Sequence, residues 1–400
     1  MRETLLLSVT VLLVVSLSAF ADAPANVLVN DVTAHHQVRP QVAASGANVY
    51  VVWQDSSNYK PEIRLARSSD GGQNFGASVL VGQATPYEQL RPDVAAVGDT
   101  VFVVWTDRRS GDDYDVFCAK STDGGQTFGQ EVRVTQSAAG TQLDPHIDLD
   151  PSGNPVVVWA DNRDTTIEDY GIKWNVYAAV SADDGATFQP EVRVDDTGCN
   201  YALWPDVAVA TDGTIHVSWY ENGAILHARS TDGGTVFSSS QVISGSGGGR
   251  IQPRIAVDGA DPVYAVWSDS RDQSLGHDDS LVFQNYHPLD VYGDVSSDGG
   301  LTWGADIRYN PTLLLYQLRP DIAVEAGLVV VPYSDCREVG NFRIWAWYSA
   351  IGDEVRLDDH DGRADKTWPA VAISEGRAYV VWQDNRSGDF DIYLAVLEED

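Results

Sequence analysis

One phrase recurs seven times along the chain: a proline, one variable residue, a Val or Ile, and then a Val-rich run that ends on an aromatic side chain. It starts at Arg39-Pro40-Gln41-Val42, Arg91-Pro92-Asp93-Val94, Asp144-Pro145-His146-Ile147 and Trp204-Pro205-Asp206-Val207. It returns at Gln252-Pro253-Arg254-Ile255, Arg319-Pro320-Asp321-Ile322 and Trp368-Pro369-Ala370-Val371. The aromatic ends are Trp53, Trp105, Trp159, Trp219, Trp267, Tyr333 and Trp382, spaced 48 to 66 residues apart. A period near fifty suits a four-stranded propeller blade and is too long for one coil of a β-helix.

Strands can be read inside each unit. In the second, Asp93–Ala96 is strand one. Val101–Trp105 is strand two, a continuous apolar run expected where both faces are buried. Asp115–Lys120 is strand three, and Glu131–Val134, with its period-two alternation, is a half-exposed strand four. No segment keeps the helix period. The seventh unit stops one strand short, and Asn26–Asn30 near the N-terminus resembles the missing one. The expected fold is all-β: a single seven-bladed β-propeller over residues 22–400, its last blade completed by the N-terminal strand. Such closure leaves no open sheet edge.

An apolar run from Leu5 to Phe20 precedes Ala19-Phe20-Ala21, a small-x-small pattern suited to signal-peptidase cleavage. Residues 1–21 therefore read as a signal peptide, and the expected location is secreted, extracellular or periplasmic. Acids outnumber bases 58 to 26, for a net charge of −32. That balance argues against nucleic acid and anionic membrane, both of which need a Lys/Arg excess. The expected partner is a glycan or an extracellular protein, bound by a monomer without membrane insertion. Cys118, Cys199 and Cys336 have no framework spacing; one bridge stays open, and Cys118 reads as a small buried side chain.

A second phrase sits between strands three and four: Ser68-Ser69-Asp70-Gly71-Gly72-Gln73-Asn74-Phe75, then its counterparts from Ser121, Ser181, Ser230 and Ser296. It reads as a tight turn, in which Asp accepts backbone N–H groups and Gly takes positive φ. The phrase resembles the Asp-box, or bacterial neuraminidase repeat, of the sialidase-like superfamily. The resemblance implies a propeller whose Asp-boxes lie on the face away from the functional site.

On the opposite face, the residues flanking each repeated proline ring one mouth of the central channel. The pre-proline slots hold Arg39, Arg91, Asp144, Trp204, Gln252, Arg319 and Trp368. The post-proline slots hold Gln41, Asp93, His146, Asp206, Arg254, Asp321 and Ala370. Arg can grip a carboxylate through two bonds and Trp can stack on a sugar face, so Arg39, Arg91, Arg254, Arg319, Trp204 and Trp368 are the candidate ligand-binding residues. Mutual pairing across the channel is the alternative for any one of them. The repeated Trp-x-Asp-x-Arg phrase, present in five blades, reads as a structural ion pair, since a catalytic residue is needed only once. Departures from the repeat are Glu221 in the Asp slot of the fourth unit, Tyr333 in the Trp slot of the sixth, and inserts at Gln273–Asp290 and around Glu168, Asp169 and Trp174. Set against the exo-sialidases, the resemblance implies triad candidates Arg39, Arg91, Arg254 and Arg319, a nucleophile candidate Tyr333 and its partner Glu221; His146 is a further candidate for chemistry.

No cofactor is expected. Asp148-x-Asp150-x-Ser152-Gly153-Asn154 partly resembles a Ca2+ loop, and an ordinary Asp/Gly hairpin is the favoured reading. Asp358–Gly362 and the His277/Asp278/Asp279/His287 insert are read as solvated acidic loops in preference to divalent-ion sites. The regularity of the repeats favours a recognition module at the channel mouth. A glycoside hydrolase of exo-sialidase type, a polysaccharide lyase and a cell-envelope scaffold remain the alternatives.

Overall fold

A computed structural model describes residues 23–398, apart from 58–59, 112, 138, 166–171, 197, 199–200, 273–288, 312–315 and 338–340. The signal-peptide segment, Cys199, Glu168, Asp169 and all but the last two residues of the Gln273–Asp290 insert, with His277, Asp278, Asp279 and His287, lie outside the described residues.

The described strands form seven antiparallel sheets, one per repeat, each running outward from strand one to strand four. The second blade is typical, with strands Gln89–Val97, Thr100–Asp107, Asp115–Ser121 and Val132–Arg133. In the sixth, strand one is split into Gln317–Leu318 and Ala323–Glu325, both paired with Leu328–Asp335. The seventh is completed by Val27–Leu28, which pairs with Tyr393 and Leu394 on the strand Asp391–Leu397. Strand one of every blade packs against strand one of the next, and the seventh against the first, so the ring closes. The fold is a seven-bladed β-propeller.

The core is divided into wedges between adjacent blades. Tyr50, Val52 and Leu65 of the first blade pack with Val101, Val103 and Trp105 of the second. Strand two is the most buried element: Val101 to Trp105 have no exposed surface. Strand four is shorter than the sequence suggests. It is two residues long in six blades, followed by a buried anchor such as Val134.

The Trp-x-Asp-x-Arg phrase is one structural unit. The indole N–H of Trp159 donates to Asp161 Oδ2 at 3.0 Å, and the Arg163 amide donates to Asp161 Oδ1 at 2.8 Å. The Arg163 guanidinium bonds Asp161, stacks 4.2 Å from the Tyr177 ring centre and pairs with Glu191, which immediately precedes strand four. Arg109, Arg271, Arg337 and Arg386 repeat this with Phe117, Tyr292, Trp345 and Tyr393 as the aromatic partners. Each unit locks strands two, three and four at the blade end, because a buried charge is tolerated only when paired and hydrogen-bonded.

The Ser-x-Asp turns at the other end are equally regular. Ser68 Oγ donates to Asp70 at 2.6 Å and accepts from Gly72 N at 2.9 Å, while Asn74 N donates to Asp70 at 3.0 Å. These bonds, led by that from Ser68, hold the Asp70 carboxyl down at about 2. The second glycine is irreplaceable for a tertiary reason. At Gly185 (φ +79) an added Cβ would stand 2.6 Å from Phe102 of the preceding blade.

The Asp150 segment is a hairpin: Asp150 accepts from the amides of Ser152 and Asn154, both at 2.8 Å. Asp358 is engaged by the chain's own cations, with Arg343 at 3.2 Å, Arg356 at 3.1 Å and Lys366 at 3.6 Å. Among the described residues no group of His, Cys, Asp and Glu could hold a metal ion. Cys118 and Cys336 are free thiols, and burial pushes Cys118 up to about 12.

Candidate functional site at the channel mouth

The sequence places each repeated proline at the start of strand one. The strand in fact begins three residues before the proline, which sits inside it in six blades and between the two pieces of strand one in the sixth. In the second blade Leu90 pairs with Thr106 and Asp93 with Val104, so two residues on strand one oppose a single partner, Trp105. The same register shift occurs in the first, third, fourth, fifth and seventh blades. Proline has no N–H to give to the ladder, so a bulge is where a strand tolerates it. The residue before proline is pushed out of the right-handed helical region. Here all seven take the left-handed one, with φ between +51° and +58°. Left-handed backbone in a non-glycine residue is uncommon, and a seven-fold repeat of it is a constructed feature. It turns each pre-proline side chain towards the channel.

All seven pre-proline side chains line one cavity of about 250 Å³, together with Gln41, His146, Arg254 and five of the prolines. The structure thus gathers seven of the nine candidate residues: Arg39, Arg91, Arg254, Arg319, Trp204, Trp368 and His146. Tyr333 and Glu221 lie elsewhere. Tyr333 is fully buried in the slot other blades give to Trp, and its hydroxyl donates to Glu354. Glu221 accepts the Trp219 indole N–H at 3.0 Å, as Asp107, Asp161, Asp269 and Asp384 do for the tryptophans of four other blades.

Within the cavity the cations differ in their company. Arg91 pairs with Asp144. Arg254 reaches Asp321 at 3.5 Å. Arg39 and Arg319 have no ion-pair partner among the described residues. Both guanidinium groups lie over Trp368, 4.4 and 3.9 Å from its ring centre. Trp368 belongs to the blade between theirs, so its indole separates two like charges. Burial, then Arg91, brings Arg39 down to about 10; burial, then Arg39, does the same to Arg319. Both stay charged at neutral pH.

Deeper in the channel, His146 Nδ1 stands 3.2 Å from Asp93 and 3.3 Å from Asp206. Burial and Arg254 oppose its protonation, but the bond and charge of Asp93, with the charge of Asp206, outweigh them and raise its pKa. Asp93, Asp206 and Asp321 also accept the amides of Ile147, Ile255 and Val371 on the next blade, at 3.0, 2.8 and 2.8 Å. Burial pushes Asp321 up to about 6. These carboxylates tie neighbouring blades together, and Asp93 and Asp206 bracket His146.

The pre-proline count locates the cavity in the sequence. The Arg39–Trp368–Arg319 stack was not foreseen, although its signal is present: in ring order the sixth, seventh and first slots read Arg, Trp, Arg.

No protein-family profile and no curated protein sequence matches the chain. Solved structures do. A protein of unknown function from Dyadobacter fermentans aligns at 13% identity and a TM-score of 0.58, over 96% of this chain and 100% of the other. The Penicillium chrysogenum α-L-arabinanase complexed with arabinobiose aligns at 12% and 0.55, over 94% and 99%. The Hadza microbial sialidase Hz136 aligns at 12% and 0.52, over 91% and 66%. At such identities the likeness is one of backbone, and the chain has the fold of the sialidase-like β-propellers.

Proposed function

We propose that the protein is an exported recognition module that holds the carboxylate of an acidic glycan at the channel mouth. The observation that carries this reading is the pair Arg39 and Arg319. The arginines of the Trp-x-Asp-x-Arg units are matched by carboxylates, whereas these two have no ion-pair partner among the described residues, and the one acid lining their cavity, Asp144, is paired with Arg91. A bound carboxylate supplies the missing counter-charge through charge-assisted bonds, the strong kind. Trp204 adds an apolar wall beside the anion. Trp368, with guanidinium groups over its ring, holds the arginines apart and does not stack on the sugar. Arg91 and Arg254 are neutralised by Asp144 and Asp321 and shape the cavity. Tyr333 and Glu221 have no part in this reading. The sialidase and arabinanase among the structural relatives act on glycans by name, which supports a saccharide as the ligand.

The test is calorimetric titration of the exported chain with acidic sugars and with neutral sugars of the same size. Acidic sugars bind, and Arg39→Ala and Arg319→Ala each weaken binding by about tenfold or more, as loss of a hydrogen bond to a charged group implies. Added salt weakens it further. Equal affinity for neutral and acidic sugars, or unchanged affinity in both variants, overturns the reading. Recovery of the chain only from the cytoplasm, with residues 1–21 attached, overturns its exported part.

A further inference from the structure

We propose a second, ring-stacking subsite on the mouth face between the third and fourth blades, built from Trp204, Tyr201 and Trp174, that holds the sugar unit next to the acidic one. It rests on the anion reading of the cavity and sets the direction in which a longer glycan leaves it.

The argument starts from the tryptophans. Six of them, Trp53, Trp105, Trp159, Trp219, Trp267 and Trp382, are buried at blade ends and donate their indole N–H to a Gln, Asp or Glu. Trp174 and Trp204 depart from this. Neither is fully buried, and neither indole N–H has an acceptor or counts among the buried unpartnered atoms of the described residues. Their N–H edges are open to solvent or ligand. An aromatic face with a free N–H at its edge is the combination that suits a pyranose, which offers C–H groups on its faces and hydroxyls at its rim.

The backbone brings these residues into line. Trp204 lines the cavity, and its ring leans on Tyr220 at 5.3 Å. Tyr201 lies three residues earlier on the same extended stretch, about 10 Å away at ~3.3 Å per residue. It forms a parallel bridge with Trp174, fastened by the Ala202 amide donating to the Trp174 carbonyl at 3.0 Å. Tyr201 keeps 46% of its surface exposed, and Ile172, two residues before Trp174, keeps 51%. Both segments belong to mouth-face connections, one between blades and one between strands two and three. The backbone thus carries Trp204 at the cavity and Tyr201 and Trp174, bridged to each other, about 10 Å further along the mouth face, and this is the shelf the proposal uses. Tyr87, on the connection between the first and second blades, is also exposed, at 44%, and lies outside the Trp174–Tyr201 bridge. It serves as an internal control on the same face.

The experiment compares a single acidic sugar with the same sugar in a chain, by calorimetry: galacturonate against tetragalacturonate, and N-acetylneuraminate against sialyllactose. For the pair that binds, the wild type prefers the longer ligand. Trp174→Ala and Tyr201→Ala each reduce affinity for the longer ligand by about tenfold, the loss of one well-packed aromatic contact, and leave the single sugar unchanged. Trp174→Phe and Tyr201→Phe keep a ring and retain most of the preference, which separates loss of stacking from loss of fold. Tyr87→Ala changes neither affinity. Equal wild-type affinity for the short and long ligands, or shelf variants that bind the long ligand like wild type, overturns the subsite. If the shelf variants are silent while Arg39→Ala abolishes binding of both ligands, the cavity reading stands and the subsite falls. If no acidic sugar binds the wild type, both fall together.

Discussion

Arg109, Arg163, Arg271, Arg337 and Arg386 each meet two carboxylates and an aromatic face, whereas Arg39 and Arg319 meet an aromatic face alone. The first five are fixed before any ligand arrives. Among the described residues the other two guanidinium groups rest against Trp368, which gives that indole a checkable role. Trp368→Leu removes the π face between two like charges. It is expected to weaken acidic-ligand binding by about tenfold, from the loss of cation–π contacts worth roughly 0.5–2 kcal/mol each. Trp368→Phe is expected to keep most of the affinity. Titration of both variants checks this, and wild-type affinity in the leucine variant would show that the arginines hold themselves. The mouth residues were legible in the sequence because proline marks them. Their left-handed backbone was not, since six of the seven slots hold Arg, Gln or Trp, which do not announce a positive φ. Tyr333 stood out for breaking the repeat, yet its environment shows a plain exchange of hydrogen-bond partner. Its hydroxyl reaches Glu354 where an indole would reach Asp335.

At the level of the strand, the Val-rich runs and the N-terminal strand were readable because burial on both faces and an unpaired edge leave clear marks. Bulges leave none, and strand one was therefore placed too late. The turns were readable as tight Asp/Gly turns, but not the reason for their second glycine, which is the neighbouring blade. One contact between the fourth blade and the turn of the fifth carries a pH prediction. His216 Nδ1 and His227 Nε2 lie 3.2 Å apart, both buried, and His227 meets Trp303 edge-on at 5.1 Å. Burial, then Arg229, brings His216 down to about 4; burial, then His216, holds His227 well below its usual range. Since the folded pKa lies under the unfolded value near 6.5, the folded state binds fewer protons in between. This contribution to stability is whole above about pH 6.5 and is lost as pH falls towards 4. Asp321 at about 6 and Asp148 at about 7, both raised by burial, act in the opposite sense over the same range. The histidine share is therefore isolated as a difference. Urea unfolding of the His216→Leu/His227→Leu variant should gain on the wild type by a few kcal/mol between pH 7 and 4. Parallel stability curves would contradict it.

At the scale of the molecule, the first and last strands share one sheet, and several contacts make that joint. Val29 is 2% exposed and donates its amide to the Ile392 carbonyl at 2.9 Å. Asn30 bonds Asp391 at 2.8 Å, and Arg386 bonds Asn26 at 3.0 Å. Val29→Asp places an unpaired charge in the closing wedge and is expected to cost about 3 kcal/mol or more. Equilibrium urea unfolding measures it; a loss under 1 kcal/mol would mean that the ring closes without this strand. The bent backbone before each proline has a wider consequence. Every blade makes the same awkward turn at the same height, and residues of four kinds (Arg, Asp, Trp and Gln) perform it with φ differing by a few degrees. The main chain sets the geometry and asks nothing of the substituent it presents. The axis therefore works like a seven-wheel combination lock, in which any one wheel can be reset while its neighbours keep their positions.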